Sequence, residues 1–228
     1  MILLGIDDTD TANSPGTNQI ARRIVDALAP LVPCKMVVRH QLSHNPVIPC
    51  TSQNGSASLW FDVDDSHTVE VFETARDVLL ANYVEGSDPG IAIAAHVPQE
   101  VINFGQSCKT AVHAQEDARQ IAARHGIRLE GLGGTEDGVI GALAAIGLAA
   151  TRNDGRVVHL QGMSDRRGTI ALAELQRLGI VVTEEASGSE IAEGLVQLPK
   201  KLRPNLRSDR VVLFVEKSDQ GWRALKRD

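Results

Sequence analysis

The amino-acid sequence predicts an α/β protein, and two observations support this class. Apolar residues at helical spacing alternate along the chain with short apolar runs that are typical of strands. The chain is 43% hydrophobic but only 3% aromatic, so its core must consist mainly of Ala, Val, Ile and Leu, as in α/β proteins with buried parallel strands. Its 228 residues are enough for one large domain or two small ones.

The first strand and the first helix are the clearest elements. An apolar run over residues 1–6 predicts a buried strand. Ser14 and Pro15 match a helix N-cap followed by proline at the first helical position. Helical spacing then predicts a helix whose apolar stripe is Ile20, Ile24, Leu28 and Leu31.

Three carboxylates, Asp7, Asp8 and Asp10, follow the first strand. Asp is rare in strands and neighbouring carboxylates repel each other, so turn chemistry or helix capping explains one or two of them more readily than three. Mg²⁺ binds carboxylate oxygens and shares its coordination shell with substrate phosphates. The first turn of the predicted helix, residues 16–18, offers free backbone N–H groups to an anion. Together these features outline a nucleotide site.

The remaining elements alternate in the same way. Strands are predicted over residues 35–40, 57–63, 91–95 and 127–129, and helices over residues 67–83 and 114–125. After a turn at residues 153–155, we expect strands over 157–160, 180–182, 211–216 and 220–225, and a helix over 169–178. The sequence changes in character at this turn, which suggests two units, residues 1–152 and 153–228.

Two loop segments are candidates for function. Residues 44–56 contain two prolines, which exclude regular structure, and end in a turn; a functional loop and a plain surface excursion both fit. Residues 131–143 are rich in glycine, as phosphate-binding turns are, and lead into a helix. They match neither GxGxxG nor a P-loop, and Glu136 and Asp137 add negative charge there. A tight turn before a closely packed helix is therefore the alternative interpretation.

Charge and cysteine content narrow the class of protein further. The net charge of −6 argues against a general polyanion binder, so nucleic acid would need a local patch such as residues 200–210, with five cations and one acid. An ordinary basic surface segment fits those residues equally well. The three cysteines form no CxxC pair, which argues against a zinc ribbon and a disulfide framework. We expect a soluble cytoplasmic protein, because the longest apolar run, residues 140–150, is too short to span a bilayer and no signal peptide precedes the first strand.

Several motifs occur in an order that resembles the archaeal tRNA-isoleucine agmatinylcytidine synthetase. They are Gly5-Ile6-Asp7-Asp8-Thr9-Asp10, Asn45-Pro46-x-x-Pro49 with Asn54-Gly55, Asp88-Pro89-Gly90, Glu116-Asp117-Ala118, and Gly138-Val139-Ile140-Gly141-Ala142-Leu143-Ala144-Ala145. The match covers roughly the first 150 residues, which correspond to the N-terminal ATP-dependent kinase-like domain of that family.

This resemblance implies a kinase-like nucleotide-binding domain that uses ATP and Mg²⁺ to phosphorylate a cytidine, after which agmatine displaces the phosphate. It implies that Asp7, Asp8 and Asp10 are metal and ATP ligands, and that Thr17 is an autophosphorylated catalytic residue. The candidates for contact with the nucleotide are Gly5, Gly16, Asn18, Gly134, Gly138 and Gly141. The candidates for contact with the acceptor are Asn45, Pro46, Asn54, Lys200, Lys201, Arg203 and Arg207.

The sequence also departs from the family. Where the family has Cys-Thr-Thr, this chain has Gly16-Thr17-Asn18. Where the family has a Gly-Asn-Gly-Arg-Gly turn, residues 134–138 of this chain contain no arginine, so a contact with a phosphate is lost. The family continues with a ferredoxin-like domain, an OB-fold and a zinc ribbon, whereas residues 153–228 leave room for one small α/β unit, at most ferredoxin-like. We therefore do not expect this chain by itself to agmatinylate tRNA.

Two functions remain open at this point. The first is an ATP- and Mg²⁺-dependent phosphotransferase or ligase whose acceptor is RNA or a small phosphorylated molecule. The second is a non-catalytic nucleotide-binding or regulatory protein with the same fold. A sugar-kinase-like start is a weaker third option, because Asp8 stands where that pattern needs glycine.

Overall fold

The computed structural model describes residues 1–51, 53–163, 166–198 and 200–227. These residues form a mixed α/β fold with twelve strands and six α-helices, which confirms the predicted class. The strands are β1 (Ile2–Asp7), β2 (Cys34–Gln41), β3 (Gly55–Phe61), β4 (Gly90–Ala94), β5 (Arg128–Gly131), β6 (Arg156–Leu160), β7 (Gly168–Ala171), β8 (Ile180–Glu184), β9 (Leu195–Leu198), β10 (Asn205–Arg207), β11 (Arg210–Ser218) and β12 (Gly221–Ala224). The helices are α1 (Thr17–Leu28), α2 (Thr68–Ala81), α3 (Gln99–Ser107), α4 (Gln115–Arg124), α5 (Gly138–Ala150) and α6 (Leu172–Arg177), and a short 3₁₀ turn spans Asp65–His67.

All the described strands belong to one sheet, in the order β5-β4-β1-β3-β2-β6-β10-β11-β12-β9-β7, with β8 paired to β11. The strands from β1 to β6 pair only in antiparallel fashion, so the expectation of buried parallel strands is wrong for this part of the sheet. Parallel pairing joins β8 to β11 and β9 to β12. The apolar composition predicts that the strands are buried on both faces of the sheet. It does not distinguish parallel from antiparallel strands, because helices can cover both faces of either kind of sheet.

Helices cover both faces of the first half of the sheet. On one face, Leu4 and Ile6 of β1 pack in a core with Ile20 and Ile24 of α1, and α2 joins them. On the other face, α5 is buried along almost its whole length. A Cβ on Gly5 would lie 2.1 Å from the carbonyl oxygen of Ala142, so glycine there lets α5 approach β1 closely.

Several predicted elements differ in the structure. Helix α1 begins at Thr17 with Gly16 as its N-cap, so the predicted N-cap at Ser14 is wrong; the Ser14 hydroxyl instead accepts a hydrogen bond from the Thr11 backbone N–H at 2.8 Å. The predicted helix over 169–178 is divided between β7 and α6. Helix α3 and strands β9 and β10 were not predicted.

The sheet continues through the predicted boundary between residues 152 and 153. Strand β6 pairs with β2 on one side and with β10 on the other. The described residues beyond 152 hold one short helix, α6, where a ferredoxin-like βαββαβ unit has two. The division into two units therefore stays a prediction. No helix in the described part of the chain is long and apolar enough to cross a membrane.

Candidate functional site

The three predicted acids lie at the end of β1, at the floor of a cavity of about 400 Å³. Asp7 is the last residue of the strand, and Asp8 has a left-handed backbone with φ 49° that turns the chain away from the sheet. The Asp8 carbonyl oxygen accepts the backbone N–H of Asp88 at 3.1 Å, which brings a fourth acid to the same place. Asp137, just before α5, is the fifth. The cavity therefore collects five carboxylates: Asp7, Asp8, Asp10, Asp88 and Asp137.

This crowding changes the acidity of two of these groups. Burial raises the pKa of Asp7 to about 7, and repulsion from Asp8 adds to it. Burial also raises the pKa of Asp8 to about 6, with further repulsion from Asp88, Asp10 and Asp137. The cavity thus holds more negative charge than its surroundings neutralise, and a cation would relieve this repulsion.

Asp10 organises the start of α1. Its Oδ1 accepts the Thr17 backbone N–H at 3.1 Å and the Thr17 hydroxyl at 2.9 Å. The buried Thr9 hydroxyl donates to the Thr17 oxygen at 3.2 Å. Asp10 therefore caps the helix from seven residues upstream, and one of the N–H groups predicted to be free for an anion is already used.

The predicted glycines have different places. Gly16, Gly138 and Gly141 line the cavity, as does Asn18. A Cβ on Gly141 would lie 1.6 Å from Oδ2 of Asp7, so α5 closes directly on that carboxylate.

Gly5 and Gly134 are not among the residues that line the cavity. Gly5 is buried against α5, as described above. Gly134 has φ 61°, and a Cβ there would lie 1.6 Å from Oδ1 of Asp88. The Asp88 carboxylate accepts both the backbone N–H and the hydroxyl of Thr135, which anchors the glycine-rich turn to Asp88.

The loop between β2 and β3 forms one wall of the cavity through residues 47–51 and 53–55, and the segment from 111 to 113 forms another. Asn54 closes the neck of the loop: its carbonyl oxygen accepts the Leu42 N–H at 3.0 Å, and its Nδ2 donates to the Ser43 carbonyl at 3.0 Å. Asn54 lines this cavity and a second one formed by the same loop, whereas Asn45 and Pro46 line only the second. Ser52 lies outside the described residues.

The predicted basic candidates do not line this cavity. Lys200 is exposed, whereas Lys201, Arg203 and Arg207 are half-buried. Arg207 lies at the end of β10, and its Nη1 donates to the carbonyl oxygens of Gly155 and Leu206 at 3.3 and 2.8 Å. The structure therefore does not bring these four residues together with the acids.

Sequence reasoning missed several residues of the cavity, and the most informative are Arg39, Asp88, His113 and, as a site residue, Asp137. Asp88 belongs to the motif at residues 88–90, and Asp137 adds negative charge to the glycine-rich segment, which argues against a phosphate site there. Arg39 and His113 carried no local signal, because only the fold brings strand β2 and the segment before α4 to the end of β1.

Mg²⁺ can be tested against this donor set. The described residues contain no group of three or more Asp, Glu, His or Cys side chains arranged to hold a metal ion. Mg²⁺ in nucleotide sites is usually held by one or two carboxylates together with phosphates and water, so such a cage is not required. Burial and mutual repulsion raise the pKa values of Asp7 and Asp8, so both carboxylates disfavour the charged form, and a divalent cation beside them would stabilise it. The residues present therefore fit a metal that arrives with its nucleotide.

Comparison with known proteins bears on the fold of this chain. No family model matches the chain, and no curated protein matches it. Solved structures do match, and their likeness is consistent with the mixed α/β fold.

Three of these structures are similar over 64% of this chain, each at 24% identity. They are a tRNA fluorescent labeling enzyme with TM-score 0.57, the TiaS–tRNA(Ile2)–ATP complex with TM-score 0.57, and apo TiaS (tRNAIle2 agmatidine synthetase) with TM-score 0.54. The match covers 35%, 36% and 35% of those chains, so this chain spans about a third of their length. At this identity the likeness shows a shared fold.

Proposed function

We propose that this protein is an ATP- and Mg²⁺-dependent phosphotransferase whose site is the carboxylate cavity. The observation that supports this most is the convergence of five acids on a cavity that the first turn of α1 also lines. Five carboxylates with one cation, Arg39, among them suit a metal-bound polyphosphate, and a neighbouring helix start suits its anionic oxygens. A structure of the same fold solved with tRNA and ATP is consistent with this proposal.

Within this proposal, Asp7, Asp8 and Asp10 hold Mg·ATP, with Mg²⁺ supplying charge neutralisation for the phosphates. Asp7 is closed in by α5 at Gly141. Gly16, Asn18 and Gly138 lie on the cavity wall, where the backbones of Gly16 and Asn18 can approach a phosphate; the Gly138 N–H already donates to the Asp88 carbonyl oxygen at 3.1 Å.

Thr17 is the proposed transient acceptor of the phosphoryl group. Its Oγ1 attacks the terminal phosphorus of ATP, and its proton passes to Asp10 Oδ1, which already accepts that hydroxyl at 2.9 Å. The bond from this phosphorus to the bridging oxygen breaks, and ADP leaves with the electron pair. Attack by the final acceptor on the phosphothreonine would regenerate the Thr17 hydroxyl.

The final acceptor is RNA or a small phosphorylated molecule in this proposal. Residues 1–152 hold 10 Lys and Arg against 18 Asp and Glu, whereas residues 153–228 hold 13 against 11. Lys200, Lys201, Arg203 and Arg207 lie in this less acidic part and are the proposed acceptor contacts. A phosphate contact there would weaken as the salt concentration rises.

Labelled ATP tests the chemistry directly. Incubation with γ-labelled ATP and Mg²⁺ should label the parent and the Thr17→Ser variant but not Thr17→Val, because only the first two have a hydroxyl at this position. Phosphopeptide mass spectrometry identifies the labelled residue. Labelling that survives in Thr17→Val would remove Thr17 from the mechanism.

The alternative function, a non-catalytic nucleotide-binding or regulatory protein, makes a different prediction. Such a protein would bind Mg·ATP in isothermal titration and yet release no ADP, with or without RNA. ADP release that depends on Asp8 would instead support phosphoryl transfer.

A further inference from the structure

The charge balance of the cavity singles out one residue. Among the described residues that line it, five are carboxylates and Arg39 is the single Lys or Arg. The glycine-rich turn contributes Asp137 but no cation to this lining. Among these described lining residues, Arg39 is therefore the one permanently charged cation that a nucleotide phosphate in the cavity can meet, with the His113 imidazole elsewhere in the lining.

The fold holds the Arg39 guanidinium in a fixed, mostly buried position. Arg39 is only 9% exposed, and its Nη2 donates to the amide oxygen of Gln41 at 2.9 Å. The amide oxygen of Gln53, on the cavity-lining loop, lies 3.4 Å from the same nitrogen. A Cβ on Gly55 would lie 2.6 Å from Nη2 and 2.9 Å from Cζ, so glycine at this position leaves the space that the guanidinium occupies.

The register of the sheet places Arg39 on the same side as the start of α1. Arg39 pairs with Ala57 on β3, and Ala57 pairs with Ile6 on β1, so the three side chains share one face. Ile6 packs on that face in a core with α1. Gly16, Thr17 and Asn18, at the start of that helix, line the same cavity as Arg39.

We propose that Arg39 binds the terminal phosphoryl group of ATP beside Thr17, an inference that rests on the proposed function. Arginine presents planar donors that match phosphate oxygens and stays charged at all relevant pH values. A fixed guanidinium there would stabilise the charge that develops as the bond to ADP breaks. It would also distinguish ATP from ADP, since only ATP carries the terminal group.

The ratio of ADP to ATP dissociation constants measures this role. Isothermal titration with Mg·ATP and Mg·ADP should show that Arg39→Gln weakens ATP binding by about tenfold or more while ADP binding changes less than about threefold. Arg76→Gln is the matched control, because it removes the same charge from a residue that lies outside the cavity and pairs with Glu130. A purely structural role for Arg39 would weaken both nucleotides equally or neither, and either result would overturn the proposal.

Gly55→Ala provides a second variant that keeps the charge. Its Cβ would displace the guanidinium, so the preference for ATP over ADP should fall as it does in Arg39→Gln. An unchanged preference in Gly55→Ala would show that the position of the guanidinium is unimportant, against the proposal.

Failure of the proposed function has its own signature. If the parent protein binds neither Mg·ATP nor Mg·ADP, the nucleotide site is wrong, and magnesium tripolyphosphate then tests Arg39 alone. Binding of tripolyphosphate by the parent and its loss in Arg39→Gln would still support a phosphate subsite. No binding to the parent would overturn it.

Discussion

Arg39 and His40 are consecutive residues of β2, and they belong to two ionisable clusters of opposite character. Side chains alternate between the faces of a strand, so the two point to opposite sides of the sheet. Arg39 lines the cavity that also contains the five carboxylates. His40 is fully buried in a network with Ser58, Asp154 and Lys109.

The His40 network is balanced. Asp154 Oδ1 lies 2.8 Å from His40 Nδ1, and its Oδ2 accepts Lys109 Nζ at 2.5 Å. Burial would raise the pKa of Asp154, but His40 and Lys109 outweigh burial and lower this pKa to about 2. Burial lowers the pKa of His40, and Asp154 offsets part of that change. Lys109 and Asp154 neutralise each other's charge, and burial favours the neutral form of His40.

Connectivity alone would misidentify this network. His40 Nε2 lies 2.8 Å from Ser58 Oγ, so Ser58, His40 and Asp154 are linked like a hydrolase triad. Ser58 is fully buried, however, and its oxygen accepts the Trp60 indole N–H at 3.0 Å. No substrate carbonyl can reach it. The comparison teaches that compensated buried charge holds the fold together, whereas uncompensated charge beside a cavity indicates a ligand.

The largest expected effect is on the acid cavity. The triple variant Asp7→Asn, Asp8→Asn, Asp10→Asn should lower Mg·ATP affinity by more than about 100-fold, because the negative ligands are lost. The fold should survive, since Asn tolerates the left-handed backbone at position 8 and caps α1 as Asp10 does. Isothermal titration measures the affinity, with the exposed Asp62→Asn as control. Unchanged binding would place the nucleotide elsewhere.

The balanced cluster should respond in the opposite way. Asp154→Ala leaves Lys109 and His40 without their shared carboxylate, so the free energy of unfolding should fall by about 3 kcal/mol. Mg·ATP affinity should stay within about twofold, because Asp154 does not line the cavity. Urea denaturation and titration of the same sample check both values. A variant that keeps its stability but loses ATP would break the comparison.

The smallest effect is a difference in pH dependence. Folded Asp7 and Asp8, with pKa values of about 7 and 6 against 3.8 in the unfolded chain, hold protons that the unfolded chain releases. Their contribution to stability is therefore complete below about pH 4 and is lost as the pH rises towards 7. The Asp7→Asn, Asp8→Asn variant should gain stability over the parent across this window, by at least about 1.4 kcal/mol at pH 7.5.

Denaturation of parent and variant at four pH values between 4.5 and 7.5 measures this gain. Asp154 contributes in the opposite direction, because its folded pKa of about 2 gives stability that is lost only as the pH falls from about 4 towards 2. Both proteins keep Asp154 and His40, so these groups cancel in the difference. A gain that is constant with pH would show that folding does not raise the pKa values of Asp7 and Asp8.

Local pattern alone determined the elements that depend on nearby residues. The apolar run before Asp7, the stripe of α1 and the small-residue helix α5 could be predicted, because burial on one or both sides is recorded in the spacing of apolar side chains. The acids at the end of β1 were equally visible, since three neighbouring carboxylates are unusual wherever the strand lies.

Tertiary structure decided what depends on distant partners. Asp10 caps α1 from seven residues away, which moves the helix start past Ser14. Strand β7 forms where a helix was predicted, because β9 pairs with it.

The composition of the site was decided in the same way. Asp88, Asp137 and Arg39 meet the first acids only because β4 and α5 begin, and β2 ends, beside the end of β1. The His40–Asp154 pair joins residues 114 positions apart. Periodicity reports burial, which is a local property of a side chain, but it cannot report which distant charges a fold brings into contact.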